Sequence, residues 1–240
     1  MVRKTVLGVA GLALGFAAVV HVLTPEPSRR ARPARAECQP GPTLPGIDVS
    51  SYQQAIDWPR VHRAGIRFAF IRLSDGATLP DARFAGNWAE ARRAGVVRGA
   101  YLFFRPDQSV AAQADLMITA MRDRQHDDLP PVIDLEVDAG LAAPIVAARA
   151  RAWVDRVRAG LGVEPIVYTG SDLWRNGGAE LLAAQPLWVA HYTQTCPTLP
   201  LPWTRWTFWQ HTDRGAVPGI DGAVDLDQFA GTLGELEAAR

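Results

Sequence analysis

Residues 129–138 read LPPVIDLEVD, an apolar run entered through two prolines and closed by two acids, Asp134 and Glu136. In a strand, alternate side chains leave the backbone on one face, so these carboxylates stand side by side beyond Val132. Burying one carboxylate is costly, and two together cost more because each opposes the ionisation of the other. No basic residue lies within the strand to pair them. Such a cluster raises the proton affinity of at least one member, which then serves as a general acid while ionised neighbours stabilise positive charge. Breaking a glycosidic bond needs that division of labour: a proton for the leaving oxygen and negative charge beside an oxocarbenium-like centre.

Other chemistries lack their residues. The five histidines show no HExxH and no paired spacing, so no metal site is expected. There is no GxSxG, no glycine-rich phosphate loop after a strand, and no cysteine in a recognisable arrangement with histidine. No cofactor is implied. Lysine plus arginine and aspartate plus glutamate both number 25, so the basic excess of a nucleic-acid binder is absent outside the N-terminus.

The acids need a scaffold, and the chain past residue 45 alternates strand and helix patterns. Strands are expected at 46–50, 68–73, 99–104, in the opening stretch, and at 165–169, 187–192, 207–211 and 223–229. Asp57 reads as an N-cap, with Pro59 in the first turn and Gly65 as a stop. Asp81 is expected to cap a helix with Phe84, Trp88 and Ala91 on one stripe, ended by Gly95. Val110, Ala114, Met117, Ile118 and Met121 mark a third helix. Val146, Ala150, Trp153, Val154, Val157 and Leu161 mark a fourth, stopped by Gly162. Strand–helix alternation implies parallel strands with right-handed crossovers. Eight strands in this length point to an α/β fold, a single TIM-like β/α barrel whose helices are reduced in the C-terminal third. Barrel enzymes place their chemistry at the mouth where strands end. Asp48 lies near the end of the first strand, Asp134 and Glu136 end the fourth, and Asp225 lies in the last. Closure makes the first and last strands neighbours, and the four acids then ring one mouth.

Flat rings with polar tips suit sugar faces. Tyr101, Tyr168, Trp188 and Tyr192 lie on expected strands, and Gln210 is a polar residue inside the aromatic FWQH strand. These five are the candidate substrate contacts.

The start of the chain is basic (MVRK), followed by an apolar run over residues 5–23. The run is expected to be a signal peptide or an uncleaved membrane anchor, and its length favours the anchor. Four arginines within residues 29–35 oppose that topology under the positive-inside rule. Residues 24–45, rich in Pro, Arg and Ala, read as a linker, and 46–240 as the catalytic barrel. Export to the cell envelope favours a disulfide between the two cysteines, Cys38 and Cys196.

Taken in order, GIDVSSYQ…IDW, FAFIRLSDG, RGAYLFF, PPVIDLE, PIVYT, LWVAHY and FWQHT…VPGIDGAVDLDQF resemble the family 25 glycoside hydrolases, the Chalaropsis-type lysozymes. The resemblance runs from residue 46 to 229. It implies a flattened β/α barrel, monomeric in action and free of cofactor, that hydrolyses the β-1,4 bond between N-acetylmuramic acid and N-acetylglucosamine in peptidoglycan glycan strands. It makes Glu136 the proton donor, Asp134 a group that orients the substrate, and Asp48 and Asp225 sources of hydrogen bonding and negative charge. Two departures bear on substrate preference: Leu102 where relatives often have histidine, and Asp75-Gly76 where they often have Glu-Gly. A non-catalytic wall-binding protein on the same fold, or a glycosidase for another amino-sugar polymer such as chitin, are the alternatives.

Overall fold

The computed structural model describes residues 36–238. The expected signal or anchor (1–23) and residues 24–35 of the expected linker lie outside them. Nine strands form one sheet: β1 (Thr43–Val49), β2 (Phe68–Asp75), β3 (Leu79–Pro80), β4 (Val97–Phe103), β5 (Val132–Leu135), β6 (Ile166–Thr169), β7 (Leu187–Ala190), β8 (Phe208–Gly215) and β9 (Val224–Ala230). Their order is β1-β9-β8-β7-β6-β5-β4-β2-β3, and β1 also pairs with β2. That last pairing closes a barrel and leaves the two-residue β3 on the edge of β2.

The expected alternation holds for the first part of the chain. Helices α1 (Trp58–Arg63), α2 (Phe84–Arg93), α3 (Val110–Met121) and α4 (Ala143–Leu161) cover the outside, and α5 (Leu233–Ala238) follows the last strand. Asp57 caps α1 by accepting from the Arg60 amide, and Gly162 ends α4 in the left-handed region. Between β6 and β7 the helix shrinks to two short 3₁₀ turns, Asp172–Trp174 and Ala179–Leu182.

Two expectations are corrected. The sheet is mixed, not all parallel: β9 runs antiparallel to both β8 and β1. Residues 216–223 join β8 to β9, and a parallel return needs a crossover of a dozen or more residues. Asp81 does not cap α2, whose N-cap Arg83 has no side-chain bond. One Asp81 oxygen accepts from the Arg83 amide in the turn before the helix, and the other holds the Arg72 guanidinium and the Ser51 amide.

Strand alternation divides the core. Inward-facing Phe68, Phe70, Val132, Ile166, Trp188, Phe208 and Phe229 fill the barrel below the mouth. Phe70 stacks on Trp188 with centroids 4.4 Å apart. Outward-facing Leu102, Ile133, Leu135, Val167 and Val189 pack against Met117, Met121, Trp153 and Val157 of α3 and α4. Each fully buried apolar side chain of this kind contributes about 1.5–3 kcal/mol. Glycine makes the inner packing possible, because a Cβ at Gly46 would collide with the Phe68 ring.

The β7–β8 crossover carries no helix, and its outer face is covered by Leu199, Trp203, Trp206 and Trp209. The segment ahead of β1 lies along it. Ala36 forms a bridge with Thr198, the Glu37 amide donates to the Pro197 carbonyl at 2.9 Å, and Gln39 and Glu37 both bond Trp206. Cys38 and Cys196 form the expected disulfide, 158 residues apart in sequence.

Gly46→Ala is expected to destabilise the domain by about 1–3 kcal/mol through overpacking against Phe68, read as a lower urea midpoint. An unchanged midpoint would show that the barrel floor has slack.

Candidate active site

Asp48 lies at the end of β1, directly opposite Asp225 at the start of β9. Residues paired this way have Cβ atoms about 5 Å apart. Asp225 reaches the mouth only because β9 runs backwards; a parallel β9 would carry it to the floor. Asp134 is the last residue but one of β5, and Glu136 follows just beyond the strand. Counting round the closed ring, β5 lies four strands from β9 in either direction. The acids therefore form two groups on opposing walls, and one cavity of about 330 Å³ is lined by all four.

Three expected contacts lie together on one polar chain. Tyr168 and Tyr192 donate their hydroxyls to Gln210 Oε1 at 2.8 and 3.0 Å, and Gln210 Nε2 donates to Asp48 Oδ2 at 2.7 Å. With its oxygen doubly occupied, the amide can present only its NH₂ to Asp48. Tyr168 is buried and Tyr192 exposed, and loss of hydration pushes both phenols up, so they remain donors. Tyr101 also lines the cavity. Trp188 sits at its floor, 1% exposed, and donates its indole N–H to Asp227 at 2.8 Å.

Burial dominates the electrostatics. Asp134 is 3% exposed, and desolvation followed by the charge of Glu136 and a hydrogen bond to it drives its pKa well up. Glu136 is open to solvent on one side, yet the surrounding wall dehydrates it enough to raise its pKa too, against the lowering effect of the Asp134 bond. Sequence crowding placed the proton on Glu136; deeper burial raises the proton affinity of Asp134 as well, and more strongly. On the other wall, burial pushes Asp225 up to about 6, and Asp48 is raised further by burial and by Asp227 and Asp225.

The cations at the cavity are already engaged. Arg72 pairs with Asp81 at 3.0 Å and lies over the Tyr52 ring, and Arg105 pairs with Asp75 at 2.5 Å and lies over Phe103. Among the described residues no ion pair reaches Glu136 or Asp134. Sequence reading missed Arg72, Tyr52, Asp81, Arg105 and Asp227. The i, i+2 spacing of Asp225 and Asp227 was a usable signal, since it sends both inward. The Arg72–Asp81 pairing left no local trace.

Residues 47–220 match the model of glycosyl hydrolases family 25. The chain belongs to that family. It is similar to the uncharacterized protein YegX of Escherichia coli strain K12, 41% identical over 201 residues, covering 82% of this chain and 73% of YegX. It is 36% identical over 205 residues to lysozyme M1 of Streptomyces globisporus, covering 80% and 70% of the two chains. The solved bacterial lysozyme from Streptomyces coelicolor superposes with a TM-score of 0.75 at 33% identity, over 82% of this chain and 96% of that one. The TIM-like α/β barrel expected from the resemblance is the family 25 fold observed here.

Of the two departures from the family pattern, only one touches the cavity. Leu102 faces outward into the helix-side core, fully buried, while Asp75 lines the cavity.

The raised pKa of Asp225 has a definite sign. Between its unfolded value of 3.8 and about 6, the folded state binds more protons, so stability falls as pH rises through that window. Asp225→Asn is expected to raise Tm at pH 7 and to leave it unchanged near pH 4. A gain that is equal at both pH values would show that the effect is not one of protonation.

Proposed function

We propose that this family 25 domain is a lysozyme that hydrolyses the β-1,4 bond between N-acetylmuramic acid and N-acetylglucosamine, with Glu136 as general acid. One observation carries the reading: two groups of carboxyls face each other across a single cavity whose arginines are committed to other acids. Glu136 is the open member of its pair and faces the leaving oxygen. Asp134, buried behind it, returns the proton across their hydrogen bond and holds the substrate. Asp225, ionised above about pH 6, supplies negative charge to the sugar as its positive charge develops. Asp48 orders that wall through Gln210. Tyr101, Tyr192 and the exposed ring of Tyr52 offer surfaces to the glycan strand, and peptidoglycan is the substrate in this reading. The names of lysozyme M1 and of the Streptomyces coelicolor lysozyme support it.

We also propose that the protein is exported and works in the cell envelope. The disulfide supports export, since such bonds persist in oxidising compartments. The apolar run 5–23 is proposed as signal or anchor. Among the described residues no helix is long and apolar enough to cross a membrane.

Glu136→Gln is expected to lower clearing of peptidoglycan suspensions by at least about 10²-fold, the usual contribution of a general acid. Co-sedimentation with cell walls should persist. Products of the wild type should carry N-acetylmuramic acid at the new reducing end. Clearing by the variant at the wild-type rate would remove Glu136 from its role, and a wild type that binds walls without cleaving them would favour the non-catalytic reading.

A further inference from the structure

Asp227 has no part in the chemistry described so far. It is 1% exposed, inside the barrel and one inward-facing position below Asp225 on β9. Its Oδ1 accepts from Trp188 Nε1 at 2.8 Å, and its buried Oδ2 has no conventional donor. Within hydrogen-bond reach is the Asp48 carboxyl, diagonal to it across the β1–β9 pair, which Asp225 opposite also contacts. Asp48 Oδ2 is already taken by Gln210 Nε2. A proton on the other Asp48 oxygen is the donor that would satisfy Asp227 Oδ2, and two buried carboxyls in contact oppose each other's ionisation.

We propose that Asp227 is a positioning residue: it holds a proton on Asp48 and so keeps the negative charge of this wall on Asp225, where it faces the cavity. The proposal rests on the reading of Asp225 given above. With Asp48 protonated, Asp225 is flanked by an uncharged carboxyl that also hydrogen-bonds it, and it ionises at about 6. If Asp48 loses its proton, Asp225 gains a charged neighbour directly opposite it and ionises only at higher pH. The raised proton affinity of Asp48, caused by burial and then by Asp227 and Asp225, agrees with the geometry.

The other groups acting here are few. Asp134 on β5 adds to the repulsion on Asp48. Tyr101 on β4, Tyr168 on β6 and Tyr192 beyond β7 face Asp48 as protonated phenols. Glu136 beyond β5 and Asp213 on β8 act on Asp225. Arg72 from β2 acts on Asp134 and Tyr101. None of these changes in the variants below.

Asp227→Asn retains the acceptor for Trp188 and turns the other atom into an amide donor toward Asp48. Carboxyl titration by ¹³C NMR on aspartate-labelled protein, without substrate, is expected to show opposite shifts. Asp48 should ionise at lower pH than in wild type, and Asp225 should move up by about one unit, roughly tenfold in its ionised fraction on the acid side. The acid limb of kcat on peptidoglycan should move up with Asp225 while KM stays the same and the rate recovers at higher pH. Trp188→Phe, which removes the N–H but keeps a ring against Phe70, should shift Asp225 in the same direction and guards against a variant that fails to fold. Unchanged titrations of Asp48 and Asp225, or both moving the same way, would overturn the proposal. Opposite shifts in a protein that leaves peptidoglycan intact would sink the lysozyme reading and leave this proton arrangement standing.

Discussion

Because β9 pairs antiparallel with both β8 and β1, the start of that strand and the end of β1 meet at the same mouth, and the acidic site depends on that meeting. The pairing does two things at once. It closes the barrel without a helical crossover, and it sets Asp225 opposite Asp48 in register. A slip of one residue would turn Asp225 and Asp227 outward together, because the side-chain period of a strand is two.

Concentrating carboxyls in this way is unfavourable unless protons or cations offset it, and the molecule relies mainly on protons. Arg72 and Arg105 border the cavity, but each is fixed by its own acid, through Asp81 and Asp75. What remains is partly satisfied through hydrogen bonds: Gln210, oriented by two tyrosines, serves one wall, and the Asp134–Glu136 contact serves the other. A partly satisfied buried network is costly, and natural proteins retain one where it performs a task. The apolar floor of Phe70, Trp188 and Phe208 keeps water from relieving the crowding from below.

Much of the barrel was legible in local patterns. Asp57, Gly65, Gly95 and Gly162 mark helix ends through capping and left-handed geometry, and those effects act over a few residues. The strand spacing, with the resemblance, placed the four acids that line the cavity. Strand direction was not legible in the same way, since it depends on the length of the β8–β9 connection more than on any motif. Asp81 looked like a cap because its local setting suits one; one of its oxygens does accept from the Arg83 amide ahead of α2, but the other is taken by Arg72, distant on β2. The difference in proton affinity between Asp134 and Glu136 depends on burial depth, and alternation alone cannot distinguish two residues on one face.

The helix-free crossover after β7 has a consequence for where the folding unit begins. Its tryptophans are roofed by the residues around Cys38, hydrogen-bonded and covalently stitched to the loop at Cys196. A polypeptide shortened to the first barrel strand would keep every catalytic candidate and still uncover an indole-rich stripe beside β8. Solubility, more than chemistry, sets how far in from the N-terminal side this enzyme can be trimmed.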